Sequence, residues 1–432
     1  MYLKFILVGL ALYRWLFDQF ETHLIWKQRA KPLPEEVKHI YTEERYKEFL
    51  SYRKEYRRIN FFLSLFGLIL NMIFVLSNFY QLFDLKNPYL CAAFTYFVME
   101  LINEIVDLPL DYYETFYIEE SYHLNKKTKK EWLKDYILHF VFETITMIIL
   151  IGFLIFLCTN LSTWTNHFKI TYQQSFLICL IIFIVIVFIA LLLSLLSLVF
   201  MKLQYTFTEM EDCELKNQIE AFSKESKKKI RHIKIYNESK KSNSKNAFLL
   251  KFLGYRMFGI ADNFLDENSH DELLAVLLHE IGHLKHKKNI FNYLNYLFSL
   301  FFFIVLVYLI PNAHSIIQLN HFINESFGLK YTNYILSFTI FSYVYLPLNF
   351  LFTLYKNFVS CREEKEADYN AVDHGYGQAL IDTFTKISSD ELIDVNPHPL
   401  IELLDYDHPS MYKRISYIQK RQKEIQEKRS SY

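Results

Sequence analysis

Phe176–Phe200 reads FLICLIIFIVIVFIALLLSLLSLVF, a stretch without one charged side chain. Coiled as an α-helix it is about 37 Å long, enough to cross the roughly 30 Å hydrocarbon core of a bilayer. Six further apolar stretches accompany it: Leu3–Phe17, Phe61–Phe83, Tyr89–Leu108, Tyr136–Cys158, Ile290–Ile310 and Tyr334–Tyr355. The first is short and carries Lys4 and Arg14. A cleaved signal peptide is its competing reading, but no small-residue cleavage site follows, so an uncleaved helix is expected. Composition agrees with a membrane protein, since 52% of the 432 residues are hydrophobic and there are 41 Phe against only 9 Gly and 9 Pro.

Lysine and arginine placement tests this segmentation, because loops on the cytoplasmic side are enriched in both. Lys27, Arg29, Lys31, Lys38, Arg45, Lys47, Arg53, Lys54, Arg57 and Arg58 crowd the first loop, whereas the second holds only Lys86. Lys126, Lys127, Lys129, Lys130 and Lys134 fill the third, and Lys169 stands alone in the fourth. The 201–289 segment is basic, the sixth loop has only Lys330, and the tail beyond Tyr355 is basic again. An integral membrane protein with seven spans, and with both 201–289 and the tail in the cytoplasm, fits every loop. Net charge is zero and the basic clusters lack interleaved aromatics, so no nucleic-acid partner is expected. The five cysteines form no CxxC pair and read as reduced filler.

Within the large basic loop, His279-Glu280-Ile281-Gly282-His283 follows the helical run Asp271–Leu278 (DELLAVLL), which reads as amphipathic. Residues four apart lie about 6 Å apart along a helix on one face, so His279 and His283 converge on one zinc ion. Glu280 then sits where a general base is needed, beside the position of a zinc-activated water. A catalytic zinc takes a third protein ligand. Ser360–Asp368 (SCREEKEAD) follows the last span on the same side, and its Glu364 and Asp368 share a helix face. Glu364 is the expected ligand, and Asp368 the acceptor that fixes a histidine tautomer. Glu363 and Glu366 are the alternative ligands, and a solvated acidic patch is the bland reading. Two β-prone segments, Asn246–Lys251 and Tyr255–Ala261, precede the motif; they read either as an exposed edge able to bind extended peptide or as a covered core hairpin. Lys240–Lys245 (KKSNSK) reads as a hairpin tip.

HEIGH, the Glu364/Asp368 pair with Ala367, and His408-Pro409-Ser410 with Arg414 together resemble the CAAX prenyl protease 1 family of membrane zinc metalloproteases. Leu108–Thr128, Asn246-Ala247-Phe248 and Pro34–Arg58 resemble that family's segments at corresponding places, so the similarity runs through nearly the whole chain. Cys361 and Leu284 depart from it, standing where Arg and Trp are usual. The resemblance implies a zinc metalloendopeptidase of the HExxH-plus-Glu (gluzincin) type with one Zn²⁺ per chain, held by His279, His283 and Glu364. It implies His408 as transition-state stabiliser beside the base Glu280, Asp368 and Arg414 behind the ligands, and substrate peptide along Asn246, Ala247 and Phe248. It also implies seven helices around a water-filled chamber, where the costly Glu100, Asn103, Glu104, Asp107, His139 and Glu143 would face water. An ordinary bundle with interhelical hydrogen bonds is the other reading.

The expected fold is an α-helical multi-pass membrane protein with seven transmembrane helices and a cytoplasmic zincin-type catalytic domain that includes a small β-hairpin or sheet. Its expected divisions are a membrane region of five spans at 1–200, the hairpin and zinc helix at 201–289, two further spans at 290–355 and a cytoplasmic region with Glu364 and the His-Pro-Ser motif at 356–432. The expected function is removal of the C-terminal tripeptide from prenylated CAAX proteins, in the endoplasmic reticulum membrane of a eukaryote or the inner membrane of a bacterium. The rivals are general membrane-protein quality control and, from another class, a scaffold or translocon-clearing factor. A protease with its HExxH inside the membrane is disfavoured, because the polar Asp262–Glu272 leads into the motif.

Overall fold

The computed structural model describes residues 2–167, 170–226, 230–252, 255–285, 304–305, 307 and 314–431. Among the described residues, five helices are long and apolar enough to cross a membrane. They are α3 (Glu43–Leu76), α4 (Pro88–Tyr113), which runs on as a π-helix through Glu119, α5 (Lys129–His167), α6 (Tyr172–Gln204) and α11 (Tyr334–Asp373). They contain the third, fourth, fifth and seventh of the apolar stretches and the second as far as Leu76, after which Phe79–Phe83 forms a 3-10 turn. The first stretch lies in α1 (Tyr2–Arg29), which is long but interrupted by Lys4, Arg14, Asp18 and Glu21 and is not among the five. Most of Ile290–Ile310 lies outside the described residues. Thr42 caps α3 and Thr171 caps α6, each accepting a backbone N–H that the first turn leaves unpaired.

Beyond α6 the chain leaves its apolar regime. Strands β1 (Phe207–Glu209), β2 (His232–Tyr236), β3 (Ala247–Phe252) and β4 (Tyr255–Ala261) form one sheet in the order β1-β2-β4-β3. The expected hairpin is present, with Phe248 paired to Gly259 and Phe252 to Tyr255. The sheet around it is larger than expected, because β2 lies parallel to β4. That pairing corrects the reading of Lys240–Lys245: strands β2 and β3 are not neighbours, so the tract is a crossover and not a hairpin tip. The crossover is tied down at Lys241, whose buried ammonium lies 2.9 and 3.0 Å from the two carboxylate oxygens of Asp135 on α5. Asn125, in the segment after α4, bridges to Ser242 of the same loop.

Short helices α7 (Glu214–Glu225) and α8 (Asp262–Glu267) flank the sheet, and α9 (His270–Lys285) carries the HExxH motif. Instead of showing one apolar face, α9 is buried nearly all round. Leu273, Leu274, Leu277 and Ile281 pack with the sheet and α7, while Ala275 and Leu278 pack with a second core. Helix α12 (Gly377–Asp390) and helix α14 (Met411–Ser430) build that second core with the end of α11. The motif is thereby clamped between two cores, which fixes its rotation about the helix axis.

A capping box begins α9. Ser269 donates its N–H and its hydroxyl to Glu272, and the Glu272 N–H donates to Ser269 Oγ. Lys386 of α12 adds an ion pair at 2.5 Å. Burial opposes the Glu272 charge, but the Lys386 ammonium and the Ser269 donors outweigh it and hold the carboxyl below its ordinary value of 4.5. A lowered folded-state value means that the stabilisation is present above about pH 4.5 and disappears as pH falls through the folded-state value. Glu272→Gln should therefore lower the thermal midpoint of the detergent-solubilised protein at pH 7. The gap to wild type should close on acidification below pH 4.5, as read by melts across a pH series.

Candidate metal centre

Helices α9 and α11 cross at Gly282. A methyl group added there would lie 2.6 Å from the Ala367 Cα, so only hydrogen fits between the two backbones. This close crossing brings residues 81 or more positions apart into one cluster. His279 Nε2 lies 3.2 Å from His283 Nε2 and 3.5 Å from Glu364 Oε2, and His283 Nε2 lies 3.2 Å from Glu364 Oε1. One ligand atom from each of the three falls within 4.8 Å of the others, the only such metal-type group among the described residues.

Each side chain is held from behind. His279 Nδ1 lies 2.7 Å from Asp368 Oδ1, which leaves Nε2 facing the cluster when the proton sits on Nδ1. Fully buried Asp368 accepts two charge-assisted bonds from Arg414, at 2.6 and 2.9 Å, and a third from the Tyr417 hydroxyl at 2.5 Å. Burial alone would raise the Asp368 carboxyl, yet the Arg414 and His279 charges drive it far below the usual range. Glu364 follows the same logic: against burial, His283, His279, Arg414 and His408 bring it down to about 2. Both acids lie beyond Tyr355, where the apolar stretch of α11 ends.

The donor set suits a metal ion by an observation apart from spacing. Glu364 Oε2 is buried and accepts no hydrogen bond from any described residue; His279 Nε2 at 3.5 Å and Arg414 Nη2 at 3.6 Å face it without closing one. With the Arg414 guanidinium beyond hydrogen-bond distance, a metal ion would complete the contacts of this buried oxygen. Two imidazoles and one carboxylate form a three-ligand set of the kind catalytic zinc takes.

The other expected residues fall around this group. His408 reaches in from the loop before α14, its Nε2 3.3 Å from Glu364 Oε1 and its Nδ1 2.8 Å from Asp407 Oδ1. Glu280 is half-buried one residue after His279, and among the described residues its carboxylate has no hydrogen-bond partner. Glu366 pairs instead with Arg362 at 3.3 Å. His398 caps α13 (Pro399–Asp405), accepting the Leu400 N–H; His286 lies outside the described residues. Strand β3 is the last strand of the sheet and packs against α9, so Ala247 and Phe248 lie on an edge, with exposed Asn246 just before them. Two parts were missed at the level of sequence. Tyr417, one turn beyond Arg414 on α14, was available from i, i+3 spacing; the Gly282–Ala367 contact had no signal in either segment alone.

Comparison with known proteins identifies the family. A family model described as CAAX prenyl protease N-terminal, five membrane helices, matches residues 22–201, and that for peptidase family M48 matches residues 209–422, which include every residue of the cluster. The chain belongs to peptidase family M48. Within the family it is 24% identical to CAAX prenyl protease 1 of Saccharomyces cerevisiae, over 96% of this chain and 94% of that one. Identity to the probable CAAX prenyl protease 1 of Schizosaccharomyces pombe is also 24%, over 96% and 88%. The crystal structure of S. mikatae Ste24p has the same fold, with a TM-score of 0.78 at 22% identity over 96% of this chain and 98% of that one. The resemblance read from the motifs is thus borne out, and this M48 peptidase is an integral membrane metalloprotease.

Gly282→Ala should force α9 and α11 apart. Overpacking of this kind costs about 1–3 kcal/mol, and here the strain falls on the ligand geometry. The expected outcome is a folded protein with less than one bound metal after gel filtration, measured by elemental analysis, beside a full complement in wild type.

Proposed function

We propose that this M48 peptidase is a zinc endopeptidase that releases the C-terminal tripeptide from prenylated CAAX proteins. The observation that carries the proposal is the convergence of His279, His283 and Glu364, with its orphaned oxygen, next to an edge strand in a membrane protein. The names of the yeast relatives supply the substrate class.

In this reading His279, His283 and Glu364 hold one Zn²⁺. When bound, the ion supplies Lewis acidity, which makes water nucleophilic near neutral pH and polarises the scissile carbonyl. Glu280 takes a proton from the attacking water and returns it to the leaving amine. His408 places an imidazole against the cluster and donates to the developing oxyanion. Asp368, itself held by Arg414 and Tyr417, keeps the His279 proton on Nδ1. The peptide extends along β3 by strand addition, with Asn246, Ala247 and Phe248 supplying the docking edge.

The same reading has seven spans, with the cluster at the cytoplasmic end of a water-filled chamber, and retains the divisions 1–200, 201–289, 290–355 and 356–432. Polar side chains within α5 support the chamber. Side chains of His139 and Glu143 are 60% and 53% exposed within α5, as water-facing groups would be.

The test is cleavage of a farnesylated CAAX peptide by purified protein in detergent. Glu280→Gln should keep stoichiometric zinc while release of the tripeptide falls at least a thousandfold. A quality-control protease would instead cleave an unprenylated membrane protein in preference, and a scaffold would leave the cellular role of Glu280→Gln intact. Asp368→Ala should weaken zinc affinity about 10–100-fold, read by competition with a chelator.

A further inference from the structure

Beside the metal centre, but on an adjacent face of α11, a groove of about 790 Å³ lies between α11, α13 and α14. Its floor is apolar, made by Phe358, Leu403, Tyr406 and Tyr412. Its rim is cationic, with Arg362, Lys365, Lys413 and Lys420 against the single carboxylate Glu402. That carboxylate is already matched by Lys413 at 2.8 Å, and Arg362 is paired with Glu366. Among the described residues Lys365 has no acidic partner; its ammonium rests on the rings of Tyr369 and Tyr417, at 5.4 and 5.5 Å from their centroids. Lys420 has none among them either. The groove therefore combines a chain-sized apolar trough with two uncompensated positive charges.

Its position supplies the occupant. The apolar stretch of α11 ends at Tyr355, and the wall of the groove begins at Asn357 and Phe358, within the next turn. Phe358 is 51% exposed, and Leu400 and Leu403 of α13 are 38% and 53% exposed, which sets an apolar margin at the level where bilayer meets water. Amphipathic surfaces with basic residues in that zone collect acidic lipids.

We propose that the α11/α13/α14 groove is a binding site for an anionic phospholipid, one acyl chain lying on the Phe358–Leu403 floor and the headgroup phosphate between Lys365 and Lys420. This rests on Tyr334–Tyr355 crossing the bilayer and does not depend on the substrate assigned above. Occupancy would tie α14, which carries Arg414 and Tyr417, to the membrane surface.

The test uses the full chain in nanodiscs of phosphatidylcholine and phosphatidylserine at 3:1, released into detergent and weighed by native mass spectrometry. Wild type should retain phosphatidylserine in excess over its share of the bilayer. The Lys365→Gln/Lys420→Gln variant should lose that preference by roughly 25-fold, at about fivefold for each cation, while hydrolysing peptide in neutral detergent at the wild-type rate. Leu403→Asp, on the exposed margin, should reduce retention without touching the cations, and serves if the double variant folds poorly. Equal retention by the variants and wild type overturns the proposal. So does displacement of the lipid by millimolar inorganic phosphate, which would make this a free-anion site, or mole-for-mole displacement by farnesylated peptide, which would assign the groove to substrate.

Discussion

Everything in the metal centre depends on two backbones approaching until only a glycine hydrogen separates them. Gly282 and Ala367 form that contact, and each is flanked by the residues it serves: His279 and His283 on one helix, Glu364 and Asp368 on the other. Small residues at a crossing trade side-chain packing for short interaxial distance. Here the distance lets a short carboxylate meet two imidazoles directly. The cost of bringing Glu364 and Asp368 out of water is offset locally, by Arg414 and Tyr417 on one side and by the histidines on the other.

Around that contact the fold is organised by clamping. Helix α9 has the sheet on one flank and the α12/α14 core on the other, so its rotation is set by apolar packing before any metal arrives. The sheet is in turn anchored to a membrane helix through Lys241 and Asp135, a buried pair joining the crossover that precedes β3 to α5. The β3 edge, the candidate metal cluster and the membrane helices are thus mechanically continuous. A pair at such a junction acts through register more than through net stability.

Much of this was legible in the sequence because it obeys helical periodicity. The i, i+4 spacing fixed which faces His279, His283, Glu364 and Asp368 share, and of the seven spans read from the apolar stretches, five correspond to helices long and apolar enough to cross a membrane. What was not legible arises between segments. The parallel pairing of β2 with β4 depends on which strand a crossover delivers to which neighbour, and nothing in KKSNSK distinguishes that loop from a hairpin tip. The leucines before the motif read as one apolar stripe, whereas two separate cores surround α9 and bury its other faces too. Gly282 is an unremarkable letter inside HEIGH until Ala367 is laid against it.

Helix α11 runs from Tyr334 to Asp373 with Pro347 inside its apolar stretch, and the proline-free part beyond Tyr355 carries the candidate ligand Glu364. Glu364 stands nine residues beyond Tyr355, a rise of about 13 Å at 1.5 Å per residue. No hinge separates them, so the height of the cluster above the end of the apolar stretch is a constant of the molecule. Under the proposed function, a substrate tethered by a lipid would be measured against that constant: a bond too near its anchor would fall short of the cluster, and one much farther along would overshoot it. That part of the helix would be a ruler, and selection by reach needs no side chain to read the sequence being cut.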